Sequence, residues 1–325
     1  MKRIAVLTSG GDAPGMNACI RAVVKSSHYH NVEVFGVLDG FNGLIRGDFQ
    51  RLQYEQVNNV IQQGGTFLGS ARSEAFRTEE GRATAAQNLR DKDIEGLIVI
   101  GGDGSFKGAT LLNQEHGVNI IGIPGTIDND IIGTEYTLGF DTALTTVMEA
   151  VDRIRDTAGS HSRIFFIEVM GRDAGALALD AAIASGAEDV LIPEEVTDIN
   201  EVARSLKENN KGKRSSIVIV CEGDDAGGAS EIVKKVEPLL PEFDLRYTIL
   251  GHIQRGGRPS PKDRIVATQW GDYAVQLLVD GKTNLMVGLN KGQLISNPIG
   301  RKLENRVKIE EKMALLHRMQ SRFNC

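Results

Sequence analysis

A chain of 325 residues is longer than one ordinary core accommodates, so two domains are expected. Its 41% hydrophobic and 25% charged residues are an ordinary globular mixture. The net charge of −6 argues against broad nucleic-acid binding, and any phosphorylated ligand would need a local cluster of arginines to overcome the mean field.

The basic Met1-Lys2-Arg3 is followed by only four apolar residues, 4–7, before Thr8-Ser9-Gly10-Gly11-Asp12, a run too short for a signal peptide. No stretch approaches the roughly 18 apolar residues of a membrane span. Cys19, Cys221 and Cys325 are scattered without a CxxC pair, which suits a reducing compartment. A soluble cytoplasmic protein with no membrane partner is expected.

Apolar runs at 4–7, 32–38, 96–100, 119–123, 164–169, 190–192, 217–221 and 247–250 predict strands. They are continuous rather than alternating, so burial on both faces is expected. Helical patterns fall at 16–27, 142–158, 174–185, 199–207, 231–239 and 264–278. Strand and helix in alternation predict an α/β fold of two doubly wound domains with largely parallel sheets and right-handed crossovers. Residues 209–214 read as a polar loop, and the chain from Asn305 reads as a basic, amphipathic closing helix.

Two glycine loops follow predicted strands. Thr8-Ser9-Gly10-Gly11-Asp12-Ala13-Pro14-Gly15 closes the first, with Pro14 and Gly15 suited to a helix entry. Gly101-Gly102-Asp103-Gly104-Ser105 closes the third, ahead of a helical stretch beginning near Phe106. Glycines let backbone N–H groups approach phosphate oxygens, and a helix N-terminus adds partial positive charge. Asp103 there suits Mg²⁺, which prefers one or two carboxylates together with phosphate oxygens and water. Tight packing turns without a ligand are the structural alternative. A dinucleotide fingerprint fails because position 107 is lysine, and the only Gly-Lys-Thr, at 281–283, lacks the earlier glycine of a P-loop, with Gln276 in its place.

Pro124-Gly125-Thr126-Ile127-Asp128-Asn129-Asp130 follows the fourth strand. If this segment is extended, Asp128 and Asp130 point roughly the same way. One could then take a proton from an attacking hydroxyl while the other helps to hold a metal, as phosphoryl transfer requires. A solvated Asx turn is the alternative for this short stretch alone. The coincidence of glycine loop, metal-type aspartate and carboxylate pair at successive strand ends favours the kinase reading.

With these motifs in order, the chain resembles the bacterial ATP-dependent 6-phosphofructokinases along essentially its whole length. The resemblance also draws on Gly64-Gly65-Thr66, Ser70-Ala71-Arg72, Gly139-Phe140-Asp141-Thr142-Ala143, Met170-Gly171-Arg172 and Gly251-His252-Ile253-Gln254-Arg255-Gly256-Gly257. It implies transfer of the γ-phosphate of ATP to the 1-hydroxyl of fructose 6-phosphate. Asp128 would be the base, Asp103 would carry Mg²⁺ with Asp130 nearby, and Thr126 and Arg172 would sit on the transferring group. Gly11, Arg72, Ser73, Gly102, Asp103, Gly104 and Ser105 would hold ATP. Met170, Gly171, Glu222, His252 and Arg255 would bind the sugar phosphate, joined by Arg163 and Arg246 of a neighbouring subunit in a homotetramer. A larger ATP-binding domain would comprise 1–139 with 251–303, and a smaller sugar-phosphate domain 140–250 with 304–325.

Gly104 and Gly125 stand where pyrophosphate-dependent relatives carry a bulkier acid and a lysine, so ATP is the expected donor. The family's effector site, for ADP or phosphoenolpyruvate, would use Arg21, Lys25, Arg155, Lys211 and Lys213, with Glu188 as the metal-type partner. Lys25 and Tyr54 replace typical arginines, Asn58-Asn59 replaces a more acidic pair, and Ser73 replaces an aromatic beside Arg72. Lysine keeps the charge but loses the planar fork, so a weakened effector response is expected. The rivals are a pyrophosphate-dependent enzyme, a lipid or NAD kinase sharing the 101–104 loop, and a non-catalytic sugar-phosphate sensor.

Overall fold

The apolar run at 4–7 is the fully buried heart of β1 (Arg3–Ser9), which lies inside a seven-stranded sheet. This computed structural model describes residues 1–158, 163–209, 215–299, 309 and 311–316. Two compact units emerge: Met1–Thr142 with the chain from Arg255 to 299, and Ala143–Gln254 with the helical residues 309 and 311–316.

The first unit continues through α1 (Met16–Tyr29), β2 (Glu33–Val37), α2 (Gly40–Arg46), β3 (Phe49–Leu52), α3 (Glu79–Asp91), β4 (Gly96–Gly101), α4 (Asp103–His116) and β5 (Ile120–Pro124). Its sheet runs β11-β10-β5-β4-β1-β2-β3, where β10 (Leu285–Asn290) and β11 (Gln293–Pro298) come from the chain's later return. β2, β1, β4, β5 and β10 are parallel, while β3 and β11 pair antiparallel at the two edges. β4 is buried along its whole length, as its unbroken Gly-Leu-Ile-Val-Ile-Gly predicts. β3, β10, β11, α2 and α3 were not expected from the sequence. β3 and β11 are half-exposed edges that carry polar residues instead of an unbroken apolar run.

The second unit holds α5 (Phe140–Ala158, its first three residues belonging to the first unit), β6 (Arg163–Val169), α6 (Ala176–Ser185), β7 (Asp189–Leu191), α7 (Ile199–Asn209), β8 (Ser216–Cys221), α8 (Ala229–Val236) and β9 (Asp244–Ile249). Its sheet, β7-β8-β6-β9, is parallel throughout. A core of Ile164, Phe166, Leu206, Val218, Val220, Ile232 and Val236 backs it. In the first unit, α9 (Pro261–Val279) packs on α1 through Gly271, where an added Cβ would lie 2.6 Å from Ala22 Cβ and 2.7 Å from the Cys19 carbonyl. Among the described residues, no helix is long and apolar enough to cross a membrane.

Candidate active site

In the first sheet, β2 and β3 lie on one side of β1, and β4, β5, β10 and β11 lie on the other. The strand order reverses between β1 and β4, and open α/β sheets bind ligands beyond the C-terminal ends of strands at such a point. Both glycine loops leave from there. Ser9 and Gly101 are register partners, and Ser105 Oγ donates to Ser9 Oγ at 2.9 Å. Gly10 has φ +90°, a conformation that an L side chain rarely adopts. The 66–72 segment closes over β1: Thr8 Oγ1 donates to the Gly69 carbonyl and Ser70 Oγ to the Gly10 carbonyl, each at 2.7 Å. Arg72 is exposed and its carbonyl accepts from Asn42 Nδ2 at 3.3 Å, while Ser73 Oγ accepts from the Phe76 N–H at 3.2 Å.

The next strand end adjoins these loops. Gly101 pairs with Pro124, the Gly125 N–H donates to the Gly101 carbonyl at 3.0 Å, and an ideal Cβ on Gly102 would lie 3.9 Å from Thr126 Cβ. α4 begins at Asp103 rather than near Phe106, with Gly102 as its N-cap. Asp103 and Gly104 therefore belong to the first turn, whose N–H groups have no partner within the helix. The Asp103 side chain is 59% exposed and pairs with Lys107 at 2.5 Å, which raises the pKa of that lysine. A Cβ on Gly104 would meet nothing within 4 Å.

The carboxylate pair differs from expectation. Asn129 takes φ +51°, so the segment turns there instead of running extended. Asp128 is only 4% exposed, whereas Asp130 is exposed. The two acids thus occupy different environments. The Asp128 N–H donates to Thr126 Oγ1 at 3.2 Å, and Thr137 Oγ1 donates to the Thr126 carbonyl at 2.6 Å. Arg255 lies against the first glycine loop: a Cβ on Gly11 would sit 2.4 Å from its Nη1, which donates to the Asp12 carbonyl at 3.4 Å.

In the second unit, Met170, Gly171 and Arg172 form a turn after β6, with φ +149° at Gly171 and +51° at Arg172. Glu222 Oε1 accepts from the Gly171 N–H at 3.4 Å and the Arg172 N–H at 3.2 Å, so this acid organises the turn. Gln254 is fully buried and accepts from the Met170 N–H at 3.1 Å through Oε1, while His252 beside it is exposed. Beneath the turn, burial pushes the Cys221 thiol up to about 12.

At the other end of β6, Arg163 Nε donates to Asp244 Oδ2 at 2.7 Å, and Arg246 Nε lies 3.0 Å from Asp244 Oδ1. The Arg163 hydrogen bond leads in holding this carboxyl below the usual aspartate value. Of the expected effector residues, Arg155 donates to the Ser185 carbonyl at 2.8 Å and Glu188 accepts from the Ile217 N–H at 2.7 Å, within the second unit. In the first unit, Lys25 donates to Asn58 Oδ1 at 2.9 Å with its ammonium 3.8 Å from the Tyr54 ring centroid, and Arg21 lies on α1. Lys211 and Lys213 fall outside the described residues, as does most of the chain beyond Asn305.

Sequence reasoning did not single out Asp244, Gln254 or Asp263. The last is fully buried at the start of α9. Ser260-Pro261-Lys262-Asp263 resembles a helix-start signal, and Ser260 Oγ does cap the Asp263 N–H at 3.2 Å. That signal marks a helix start but says nothing about burial.

Residues 3–278 match the family model for phosphofructokinase. The chain is 52% identical over 317 residues to "ATP-dependent 6-phosphofructokinase 1" of Thermus thermophilus, covering 97% of this chain and 98% of that protein. It is 51% identical over 314 residues to the ATP-dependent 6-phosphofructokinase of Bacillus subtilis, covering 96% and 97%. Among solved structures, phosphofructokinase from Saccharomyces cerevisiae superposes with a TM-score of 0.86 at 36% identity, covering all of this chain and 48% of that one. A pyrophosphate-dependent phosphofructokinase from Nitrosospira multiformis superposes at 0.84 with 20% identity, covering 97% and 91%, a likeness of fold alone.

Proposed function

The chain belongs to the phosphofructokinase family, and from that membership we propose that it transfers the γ-phosphoryl group of ATP to the 1-hydroxyl of fructose 6-phosphate, yielding fructose 1,6-bisphosphate and ADP in glycolysis. The observation that carries the residue assignment is the adjacency of two loops: the Gly125 N–H bonds the Gly101 carbonyl, and Gly102 abuts Thr126. A phosphate-type loop and the loop bearing a buried aspartate thus leave neighbouring strand ends.

In this reading Gly11, Arg72, Ser73, Gly102, Gly104 and Ser105 bind ATP, and the open space over Gly104 supports room for the nucleotide. Asp103, with Asp130 on the neighbouring loop, supplies the hard oxygen donors that suit Mg²⁺, which would neutralise charge on the phosphates. Asp128 takes the proton of the 1-hydroxyl as that oxygen attacks the γ-phosphorus. The bond from the γ-phosphorus to the bridging oxygen breaks, and ADP leaves with its electron pair. Thr126 and Arg172 steady the transferring group. Met170, Gly171, Glu222, His252 and Arg255 bind the sugar phosphate.

Arg163 and Arg246 are assigned to sugar phosphate bound by a neighbouring subunit. Seven residue steps along β6 separate Arg163 from Met170, roughly 23 Å at about 3.3 Å per residue. That separation supports assigning the two ends of β6 to different sugar phosphates, as in the homotetramer that the resemblance implies. The protein is then a cytoplasmic enzyme whose partners are small phosphorylated molecules. Arg21, Lys25, Arg155, Glu188, Lys211 and Lys213 are its effector residues for ADP or phosphoenolpyruvate, with phosphate binding weakened where Tyr54 and Asn58 engage Lys25.

The deciding variant is Asp128→Ser. Turnover should fall roughly 10²–10⁴-fold while calorimetric binding of fructose 6-phosphate survives. Undiminished turnover would remove Asp128 from the reaction.

A further inference from the structure

We propose that Asp263 is a positioning residue for phosphoryl transfer, holding the 124–130 loop in place through the 136–142 segment. Its carboxylate is fully buried and meets four donors. Oδ1 accepts from Tyr136 Oη at 2.7 Å and from the Gly139 N–H at 2.8 Å. Oδ2 accepts from the Thr142 N–H at 2.9 Å and from Thr142 Oγ1. Four donors converging on two oxygens suit an ionised carboxylate, and each oxygen grips a different part of the segment. Burial raises the pKa of Asp263, and the same donors oppose that shift.

The segment so gripped lies directly on the loop. The Leu138 N–H donates to the Pro124 carbonyl at 2.9 Å, and Leu138 bridges Gly125 in parallel. Thr137 Oγ1 lies 2.6 Å from the Thr126 carbonyl and 3.3 Å from Asn129 Oδ1. A Cβ on Gly139 would come 3.2 Å from Ile127 Cγ2, so no slack separates segment from loop. Asn129 sits at φ +51°, and the turn it makes aims Asp128 inward. Asparagine tolerates that left-handed conformation, and the side chain of Asn129 is held there by the Glu135 carbonyl at 3.5 Å and Thr137 Oγ1 at 3.3 Å. α9 supplies the fixed end: Ser260 Oγ caps Asp263 and also donates to Asp141 Oδ2 at 2.6 Å, while the Ser260 N–H donates to Thr142 Oγ1 at 2.9 Å.

The nucleotide-side loops hang from β1 and β4 by bonds that do not involve Asp263. Gly139 also packs on Ala13 and Pro14 of the first glycine loop, so loss of the carboxylate should slow chemistry more than it weakens ATP binding. Asp263→Asn keeps the shape but turns an amide NH₂ towards two donors. The expected result, measured well below the variant's Tm, is a kcat lower by roughly 10- to 100-fold with both KM values within about threefold, since small misplacements of reacting groups are costly.

The inference rests on Asp128 being the base, so the same substitution is also made in the Asp128→Ser background. A residue acting through the Asp128 loop should cost less than about threefold there, because its effect is already spent. A full, multiplicative loss in that background, or an unchanged kcat with only a lowered Tm, overturns the proposal. Full activity of Asp128→Ser alone would instead overturn the underlying reading. Should Asp263→Asn not fold, Tyr136→Phe removes a single donor and must still lower kcat several-fold with unchanged KM values; wild-type kcat there also overturns it.

Discussion

Two glycines that sequence reasoning treated alike turn out to answer to different constraints. A Cβ on Gly104 would meet open space, whereas one on Gly125 would lie 3.1 Å from Ile100 Cγ2 and 3.2 Å from Met16 Cε. Gly125 is thus tied to packing, whereas a Cβ on Gly104 meets no packing constraint. Gly104→Asp should therefore leave Tm essentially unchanged, since it touches nothing in the fold. It should raise the KM for ATP at least about tenfold, because an acid would face the phosphates, and like charges brought together cost several kcal/mol. Calorimetry and initial rates check both halves. A lowered Tm or an unchanged KM would contradict the assignment of this loop.

Between elements, a salt bridge joins α3 to α4 beside the turn that follows the proposed ATP residues Arg72 and Ser73. Arg82, with its side chain 5% exposed, reaches Glu115 through Nε at 2.6 Å and Nη2 at 2.7 Å. Its Nη1 donates to the carbonyls of Phe76 and Arg77, fixing the turn that follows Arg72 and Ser73. The hydrogen bond from Arg82 holds the Glu115 carboxyl below its ordinary 4.5. A depressed folded-state pKa means that the stabilisation is complete above 4.5 and is lost as pH falls through the lower folded value. Glu115→Gln should melt below the wild type at pH 7, and the gap should close in acid well under 4.5. A gap independent of pH would show that the pair contributes through packing alone.

At the scale of the whole molecule, a chain of net charge −6 needs local cationic side chains to hold anionic substrates, and several of those assigned to that task have partners within the chain. Asp244 binds both Arg163 and Arg246, and Lys25 is engaged by Tyr54 and Asn58. An allosteric coupling is typically about 1–3 kcal/mol, so the loss of one or two phosphate contacts is enough to erase it. A coupled assay should show turnover with ATP and none with pyrophosphate, together with shallow inhibition by phosphoenolpyruvate. Steep inhibition relieved by ADP would contradict the effector reading, and comparable rates with both donors would contradict the donor reading.

Much of this was legible in the residues themselves. Continuous apolar runs announced the central parallel strands, because burial on both faces leaves no room for alternation. Glycines at strand ends announced backbone that must pass close to a ligand or a neighbour. Half-exposed β3 and β11 escaped notice because an edge strand needs only one partner and can afford polar residues. The burial of Asp128, Arg255 against Gly11 and the burial of Asp263 were decided only by tertiary structure. Each depends on bonds or contacts that the fold, and not the local chain, brings together: Asp263 lies 121 to 127 residues from its donors. Local patterns report which face of an element is dry, whereas the partner of a buried polar group is chosen by topology.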